Sequence, residues 1–448
     1  MKTTRLLFAG LAGMLLALSG AAPAQAPAAP VTLLQNVRIF DGKSAALSGP
    51  SQVLVRNGTI ERVSAAPLAP PPGATVIDGG GRTLMPGLID NHWHTMLAAP
   101  PMGVLLQGDL GYLTLLAAGE ARATLMRGFT TVRDMGGPSF ALKRAIDEGR
   151  VVGPRIYPSG AMITITGGHG DFRAPHELPR RIGGPPPLTG QLNATQLADS
   201  PDEVRLRVRE QLMLGASQIK LTAGGGVASP HSPLDVSTFT EEELRAAVQA
   251  AANWGTYVAA HAYTPQAIQG AIAAGVKVIE HGHLMDEPTA KLIAEKGVWL
   301  SFQPFVDDEF APQMPPSSMA RLRQVTAGTE RTVAFAKKYK FKLAWGTDIL
   351  FSAENATRQG AHLALMQTWF TPAEVLVMAT GTNAQLLQLS GPRNPYPGKL
   401  GVIEEGAMAD LLLVDGNPLQ DLNLVTTPDK SFVLIMKGGV LYKNLLAR

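Results

Sequence analysis

The stretch Pro86-Gly87-Leu88-Ile89-Asp90-Asn91-His92-Trp93-His94 places two histidines one residue apart, directly after an apolar segment typical of a buried strand. The chain has 9 histidines in 448 residues, so finding two of them side by side calls for an explanation. Side chains alternate between the two faces of a strand, so His92 and His94 point the same way and Trp93 points the other way. Two imidazoles at one strand end can bind one cation, and the stretch therefore predicts a metal site.

Short apolar segments recur after this stretch, and helical segments separate most of them. The eight predicted strands are Leu88–His92, Thr130–Asp134, Arg155–Ser159, Gln218–Thr222, Tyr257–His261, Val278–His281, Trp299–Phe302 and Leu343–Asp348. Eight strands alternating with helices over about 300 residues have the count and size of a (β/α)8 barrel. The sequence therefore predicts an α/β fold, a TIM barrel over residues 86–395.

Helix signals support the alternation. Thr240 followed by Glu243 is a capping box that predicts a helix running to Trp254. Pro265 after Thr264 predicts another helix start. The third connection between strand and helix, residues 160–198, is too long for an ordinary loop, and long loops at the carboxyl-terminal face of a barrel usually serve function.

The two ends of the chain share a β pattern. Strands are predicted near the amino terminus at residues 31–40, 52–63 and 74–78, with Asn57-Gly58 as a hairpin turn. Similar strand patterns occur near the carboxyl terminus at residues 409–415 and 432–440. Residues 31–85 and 396–448 are therefore predicted to form one small β-sandwich domain, interrupted by the barrel.

The composition excludes several classes of protein. Hydrophobic residues make up 45% of the chain and charged residues 17%, the balance of a globular protein. The net charge of +3 comes from scattered residues, so no basic face predicts binding to nucleic acid. The chain has no cysteine, which excludes disulfides, cysteine zinc sites and cysteine nucleophiles.

The amino terminus has the features of a signal peptide over residues 1–26. Lys2 and Arg5 precede the apolar run Leu6–Leu18, and small residues follow, with cleavage expected after Ala24 or Ala26. The alternative is an uncleaved anchor, but the run is shorter than the ~20 residues that a membrane-spanning helix needs. We therefore expect export to the periplasm or the medium, and no membrane contact after cleavage.

Polar residues stand where five of the predicted strands end, which is where a barrel carries its active site. They are His92, His94, Lys220, His261, His281 and Asp348. Imidazole and carboxylate suit zinc and similar metals. Lys220 lies between apolar residues, where an ammonium ion would be costly. It could be a neutral amine or a modified one, and a carbamate formed with CO2 would make it an anionic ligand able to bridge two metals.

With these residues in place, the chain resembles the amidohydrolase superfamily over nearly its whole length after the signal peptide. The resemblance rests on residues 86–94, on Lys220, His261 and His281, on Gly346-Thr347-Asp348, and on residues 401–411 near the carboxyl terminus.

The resemblance implies a site for two divalent metal ions, with Zn2+ the expected metal. His92, His94 and Asp348 would bind the first metal, and His261 and His281 the second. Carboxylated Lys220 and a hydroxide would bridge the two. Asp348 would serve as general base and then as general acid. Lys220 favours the dinuclear branch, since mononuclear deaminases and imidazolonepropionases generally lack this lysine.

Further stretches resemble the Xaa-Pro dipeptidase-like and imidazolonepropionase-like branch, which includes ochratoxin-hydrolysing amidohydrolases. The resemblance implies substrate contact for His169 and Tyr263, which could also stabilise the oxyanion. Tyr263 as a packing residue is the alternative. His231 and Arg173 are further candidates for substrate binding, Arg173 for a carboxylate. The glycines Gly224 to Gly226 are expected to let the backbone pass close to the site.

The expected activity is metal-dependent hydrolysis of an amide or peptide bond in a small substrate with a free carboxylate. Dipeptides, Xaa-Pro peptides and N-acyl amino acids fit, and ochratoxin A is one specific member of that class. The alternatives are a cyclic amide or an ester or lactone as substrate, and a catalytically dead binding module. Barrels of this kind often associate, so a homo-oligomer is also expected.

Overall fold

The computed structural model describes residues 31–179, 182–229, 231–305 and 315–446. The predicted signal peptide lies outside the described residues. Among the helices that are described, none is both long and apolar enough to cross a membrane.

The strands and helices alternate over most of the described chain. In order, the strands are β1 (Val31–Phe40), β2 (Leu47–Arg56), β3 (Thr59–Ser64), β4 (Thr75–Asp78), β5 (Thr83–Pro86), β6 (Leu88–Trp93), β7 (Phe129–Asp134), β8 (Arg155–Pro158), β9 (Met162–Thr164), β10 (Thr195–Leu197), β11 (Ile219–Thr222), β12 (Val258–Ala262), β13 (Val278–His281), β14 (Trp299–Phe302), β15 (Leu343–Trp345), β16 (Leu411–Val414), β17 (Phe432–Lys437) and β18 (Val440–Asn444).

The helices fall mainly between the strands of the middle section. In order, they are α1 (Met102–Leu105), α2 (Leu110–Met126), α3 (Phe140–Asp147), α4 (Leu188–Gln191), α5 (Pro201–Met213), α6 (Glu241–Asn253), α7 (Pro265–Ala274), α8 (Glu287–Lys296), α9 (Pro316–Thr326), α10 (Thr329–Tyr339), α11 (Ala353–Thr357), α12 (Gln359–Leu365), α13 (Pro372–Val377), α14 (Asn383–Leu387) and α15 (Pro428–Ser431).

All eight strands predicted for the middle section are present and run parallel to their neighbours. Strands β6, β7 and β8 pair in that order, and β11 to β15 pair in a second sheet. Backbone hydrogen bonds join the two sheets: Ser217 donates to Pro158 at 2.7 Å, and Asp348 donates to His92 at 2.7 Å. The α/β class is confirmed, and this order is consistent with the predicted TIM barrel.

The two ends of the chain meet in one sheet. It has eight strands in the order β18, β17, β16, β5, β1, β2 and β3, with β4 paired to β1. Strands β5 and β16 join the two ends in an antiparallel register that pairs Thr83 with Val414. Because the strands form one continuous sheet, the predicted sandwich is not confirmed.

The long third connection adds structure of its own. It contains β9, α4 and β10, and β9 pairs in parallel with both β10 and β11. The segment after β9 is thereby held against the sheet of β11 to β15, next to the end of β11.

Local signals in the sequence explain several element boundaries. Thr240 and Glu243 form both hydrogen bonds of the predicted capping box at the start of α6. Helix α7 begins at Pro265, as predicted. Asn57 and Gly58 both have positive φ, at 53° and 76°, as the predicted hairpin turn requires.

Candidate metal centre and substrate pocket

The structure brings all six predicted metal ligands together. They line one pocket at the carboxyl-terminal ends of the strands: His92, His94, Lys220, His261, His281 and Asp348. The eighth strand ends at Trp345, three residues earlier than predicted, so Asp348 stands on the loop that follows it.

Asp348 is central to this group. Its Oδ1 lies 3.2 Å from His92 Nε2 and 3.1 Å from His94 Nε2. The ligand atoms of these three residues lie within 4.8 Å of one another, close enough for one metal ion. Asp348 Oδ2 is 3.9 Å from His281 Nδ1, so the carboxylate also reaches toward the second pair of histidines. The donor set suits a divalent metal.

His92 and His94 each have one ring nitrogen engaged away from the pocket. His92 Nδ1 donates to Glu280 Oε2 at 2.8 Å, and His94 Nδ1 donates to the Gly136 carbonyl at 3.1 Å. Since a carboxylate or carbonyl oxygen can only accept, each ring carries its proton at Nδ1. Nε2 of each ring is therefore free to bind a metal.

In His261 and His281, too, one ring nitrogen is held by a hydrogen bond and the other is left free. His261 Nε2 donates to the Gly225 carbonyl at 2.8 Å, and His281 Nδ1 donates to Gln303 Oε1 at 2.7 Å. The two rings are 4.5 Å apart between centroids. Burial lowers the pKa of both rings well below the usual value, which keeps them neutral as metal ligands require.

Lys220 lies beside His92 in the same pocket. Its Nζ is 3.4 Å from His92 Nε2, and the side chain is buried. Burial lowers the pKa of Lys220 to about 8. Near neutral pH the neutral amine, which the predicted reaction with CO2 requires, is therefore far more abundant than for an exposed lysine.

Two of the predicted ligands have unusual backbone conformations. His281 has φ of 79° and Asp348 has φ of 55°, in the left-handed region that most side chains avoid. Burial raises the pKa of Asp348, but its contacts with His92 and His94 outweigh the burial and hold the pKa well below the usual value. Asp348 is therefore ionised. Strained residues of this kind cluster at functional sites.

His169 and Tyr263 also line the pocket. The His169 ring is 4.3 Å from the ring of His261, and the Tyr263 ring is 4.8 Å from it. His169 Nδ1 lies 2.8 Å from Ser229 Oγ, and burial lowers the pKa of His169 to about 4. Both side chains lie beside the candidate ligands, where a substrate would bind; their roles stay predictions.

The glycines after β11 allow other groups, including the His169 ring, to come close to the backbone of that loop. A Cβ on Gly226 would lie 2.0 Å from His169 Nδ1, and one on Gly225 would lie 1.6 Å from the Pro233 carbonyl oxygen. The close packing at Gly225 and Gly226 agrees with the predicted close approach of the backbone, whereas a Cβ on Gly224 would meet its nearest atom at an ordinary 3.4 Å.

Arg173 and His231 are not among the residues that line the pocket. Arg173 donates from Nε and Nη2 to the two carboxylate oxygens of Asp171, at 2.9 and 2.6 Å. The ring of His231 lies 3.1 Å from the Arg173 carbonyl. The Arg173 guanidinium is thus paired with a carboxylate of the chain itself, and the substrate contacts of Arg173 and His231 stay predictions.

Sequence reasoning missed the residues behind the histidines and the apolar wall of the pocket. Glu280, Arg133 and Gln303 are fully buried, and Glu280 and Gln303 contact the ligands directly. A charged residue inside an otherwise apolar strand was the available signal for Glu280. The apolar wall includes Phe172, Val227, Phe305, Leu322 and Phe351.

Comparison with known proteins agrees with this site. The profile of the Amidohydrolase family matches residues 83–442, which covers most of the chain. The chain belongs to the amidohydrolase family. The predicted resemblance is thereby confirmed.

Among the relatives of this amidohydrolase is ochratoxinase from Aspergillus niger. It is 33% identical over 372 residues, which are 81% of this chain and 76% of the relative. The solved structure of A. niger ochratoxinase superposes with a TM-score of 0.80, covering 93% of this chain and 96% of that one.

Two solved peptidases are also similar to this amidohydrolase. A prolidase in complex with N-methylphosphonate-L-proline is 35% identical, with a TM-score of 0.85, and the match covers 92% of this chain and all of the prolidase. A Xaa-Pro dipeptidase with methionine bound in its active site is 28% identical, with a TM-score of 0.79 over 92% of this chain and all of the dipeptidase. The family and these relatives identify the protein as a hydrolase that acts on C–N bonds.

Proposed function

We propose that this amidohydrolase cleaves an amide or peptide bond of a small substrate that carries a free carboxylate, with divalent metal ions bound in the pocket. One observation carries the metal dependence. Four buried histidines each have one ring nitrogen bonded behind the pocket, and Asp348 reaches two of the free nitrogens at 3.1 to 3.2 Å.

The residues fit two metal ions, and zinc is the metal we favour. His92, His94 and Asp348 would hold one ion, His261 and His281 the other, and a carboxylated Lys220 would lie between them. When bound, such ions lower the pKa of a water molecule and polarise the carbonyl group of the substrate. The neutral, oriented imidazoles and the buried Lys220 amine support this assignment.

The chain's own residues would handle the protons and the oxyanion. Asp348 is ionised and lies beside the first pair of histidines, so it can accept a proton from the attacking water and pass it to the leaving nitrogen. The ring of His169 packs against that of His261 at 4.3 Å between centroids, and the ring of Tyr263 packs against both His261 and His281, at 4.8 and 5.2 Å. The high pKa of Tyr263, raised by burial, keeps its hydroxyl protonated as a hydrogen-bond donor to the oxyanion.

The relatives and the pocket wall together narrow the substrate. The prolidase and the dipeptidase bind a proline analogue and methionine, and the fungal relative is an ochratoxinase. In this chain, Phe172, Phe305 and Leu322 are part of an apolar wall next to the ligands. We therefore favour Xaa-Pro dipeptides, other dipeptides and N-acyl amino acids with an apolar or aromatic group, with ochratoxin A among them.

A hydrolysis screen tests this proposal. The purified enzyme is assayed against dipeptides and N-acyl amino acids with proline, methionine, phenylalanine, aspartate and lysine as leaving groups, with and without a chelator. We expect activity on the apolar set, loss of activity with the chelator, and recovery on adding Zn2+. The matching amides without a free carboxylate are the control. Activity confined to lactones, esters or cyclic amides would overturn the substrate class, and activity that resists metal removal would overturn the metal dependence.

Three further proposals rest on the sequence and the strand order. The chain is exported after removal of residues 1–26. It consists of a (β/α)8 barrel over residues 86–395 and a β domain built from residues 31–85 and 396–448. It associates into a homo-oligomer. Amino-terminal sequencing of the exported protein and its mass in solution test the first and the third.

A further inference from the structure

A buried carboxylate lies directly behind His92. Glu280 Oε2 accepts the 2.8 Å hydrogen bond from His92 Nδ1, and the two side chains are 0% and 1% exposed. The nitrogen of His92 that faces Asp348 is Nε2, across the ring from Nδ1. Glu280 therefore contacts the rear of the ring and is not itself positioned as a metal ligand.

Arg133 fixes the direction of this carboxylate. Its Nη2 donates to Glu280 Oε1 at 2.6 Å. The guanidinium is held in turn by the Asn91 carbonyl, which accepts from Nε at 2.6 Å, and by the Tyr257 hydroxyl at 3.2 Å from Nη1. One oxygen of Glu280 is thus committed to Arg133, and the other to His92.

Stability does not explain this arrangement. Glu280 and Arg133 are both 0% exposed, and taking two charges out of water costs several kcal/mol per ion. Apolar residues of similar volume often stabilise such a position as well as an ion pair does, or better. A directional role is a better explanation: the acceptor at Nδ1 forces the ring proton onto that atom and leaves a lone pair on Nε2.

The backbone is distorted at His281, the residue that follows Glu280. Neighbouring residues of a strand should point to opposite faces of the sheet. Glu280 and His281 nevertheless both contact His92, Glu280 through Oε2 and His281 through ring packing at 5.0 Å between centroids. The φ of 79° at His281 breaks the alternation. This conformation is costly for a residue other than glycine, and it allows both side chains to reach the same ligand.

We propose that Glu280 is a positioning residue that holds His92 in the Nδ1–H form, and that Arg133 orients Glu280 for this task. The role rests on the metal-dependent function proposed above. Glu280 and Arg133 would thus both support metal binding, although neither residue is a metal ligand.

The variant Glu280→Gln tests this role without changing the shape of the side chain. Arg133 has only donors to offer, so the new amide would turn its oxygen to Arg133 and its amino group to His92 Nδ1. His92 Nδ1 must then accept, and the ring proton moves to Nε2, which faces the pocket. We expect the affinity of the apoprotein for Zn2+, measured by competition with a chromophoric chelator, to fall about 10- to 100-fold.

Glu120→Gln is the matched control, because it makes the same change at another buried glutamate that pairs with an arginine, Arg127, and leaves the contact between Glu280 and His92 in place. Its Zn2+ affinity should equal that of the wild type. Equal affinities for Glu280→Gln and the wild type would overturn the proposal, as would an equal loss in Glu120→Gln. If the wild type binds no Zn2+, the metal-dependent function is itself overturned and the positioning role falls with it.

A second measurement needs no folded variant of Glu280. Long-range 1H–15N spectra of histidine-labelled wild-type apoprotein report which ring nitrogen carries the proton, and His92→Asn identifies the His92 signals by their loss. We expect the Nδ1–H form for His92. An Nε2–H form would overturn the proposal.

Discussion

Lys220 Nζ lies 3.4 Å from His92 Nε2, and both side chains are buried. An ammonium ion so close to a metal ligand would repel a bound cation as well as lose its hydration. A carboxylate added to the same nitrogen would instead bring negative charge between the two pairs of histidines. The position of Lys220 thus makes sense for a modified side chain, and this can be tested directly.

Lys220→Ala should lower kcat by at least about 100-fold and should reduce metal content from about two ions per chain to one or none. Propionate or another short carboxylic acid added at high concentration should restore part of the activity, because it can occupy the space of the missing carbamate. Activity is measured alongside metal content by atomic absorption. If the variant retains its metals and its activity, Lys220 has no part in the site.

Asp348→Asn should lower kcat by about 10²- to 10⁴-fold with a smaller change in KM, because the amide cannot accept the proton of the attacking water. The variant still offers one oxygen to His92 and His94, so it should bind metal with reduced affinity. Assays at saturating Zn2+ separate the two effects. Full activity under that condition would show that Asp348 is a ligand and not the base.

Gly226→Ala should remove most of the activity, because its Cβ would lie 2.0 Å from His169 Nδ1 and must displace that ring. Gly224→Ala, two residues earlier in the same loop, is the control. Its Cβ would meet its nearest atom at 3.4 Å, an ordinary contact, so activity should stay close to that of the wild type. Similar kcat/KM values for the two variants would show that His169 can move without consequence.

Asp134→Asn should change how stability depends on pH. Burial raises the pKa of Asp134 to about 7, although hydrogen bonds from Ser139 and Thr95 oppose the shift. A carboxyl whose pKa is raised on folding contributes stability below its unfolded pKa and loses that contribution as pH rises through the folded pKa. As pH rises from 5 to 8, the wild type therefore loses free energy of unfolding that the variant keeps. The difference between the two proteins should shift in favour of the variant by on the order of 2 kcal/mol.

Urea unfolding of the apoprotein at both pH values measures this difference. Asp202→Asn, which removes the same charge from a side chain that is 93% exposed, is the control for net charge. The same gain in both variants would show that the buried site of Asp134 is not the cause.

The repeat of apolar strands and the polar residues at their ends made much of the fold, and the grouping of the candidate ligands in one pocket, predictable from sequence. The pattern works because parallel strands of a barrel bring their carboxyl ends to one face, so His92, Lys220 and Asp348 converge although they are far apart in the chain. The glycines after β11 were also informative, because a glycine is needed at position 226 only if another group, here His169, comes close to the backbone.

Other features depend on contacts that spacing cannot show. Glu280 was missed because alternation along a strand puts it on the face opposite His281, and only the left-handed backbone at His281 overrides that rule. The pairing of the Arg173 guanidinium with Asp171, two residues away, is another contact that the sequence pattern does not predict. The apolar wall is built from separate loops, whose relative positions depend on tertiary packing.

Strand β5 pairs along its whole length with β16, which begins at Leu411, while β5 itself begins at Thr83. During synthesis, β5 can therefore pair with β16 only after almost the entire polypeptide has left the ribosome. Pairings so distant in sequence form late and slowly, and until then the edge is open to other chains. We therefore expect the nascent chain to bind chaperones. We also expect carboxyl-terminal truncations to aggregate rather than fold stably.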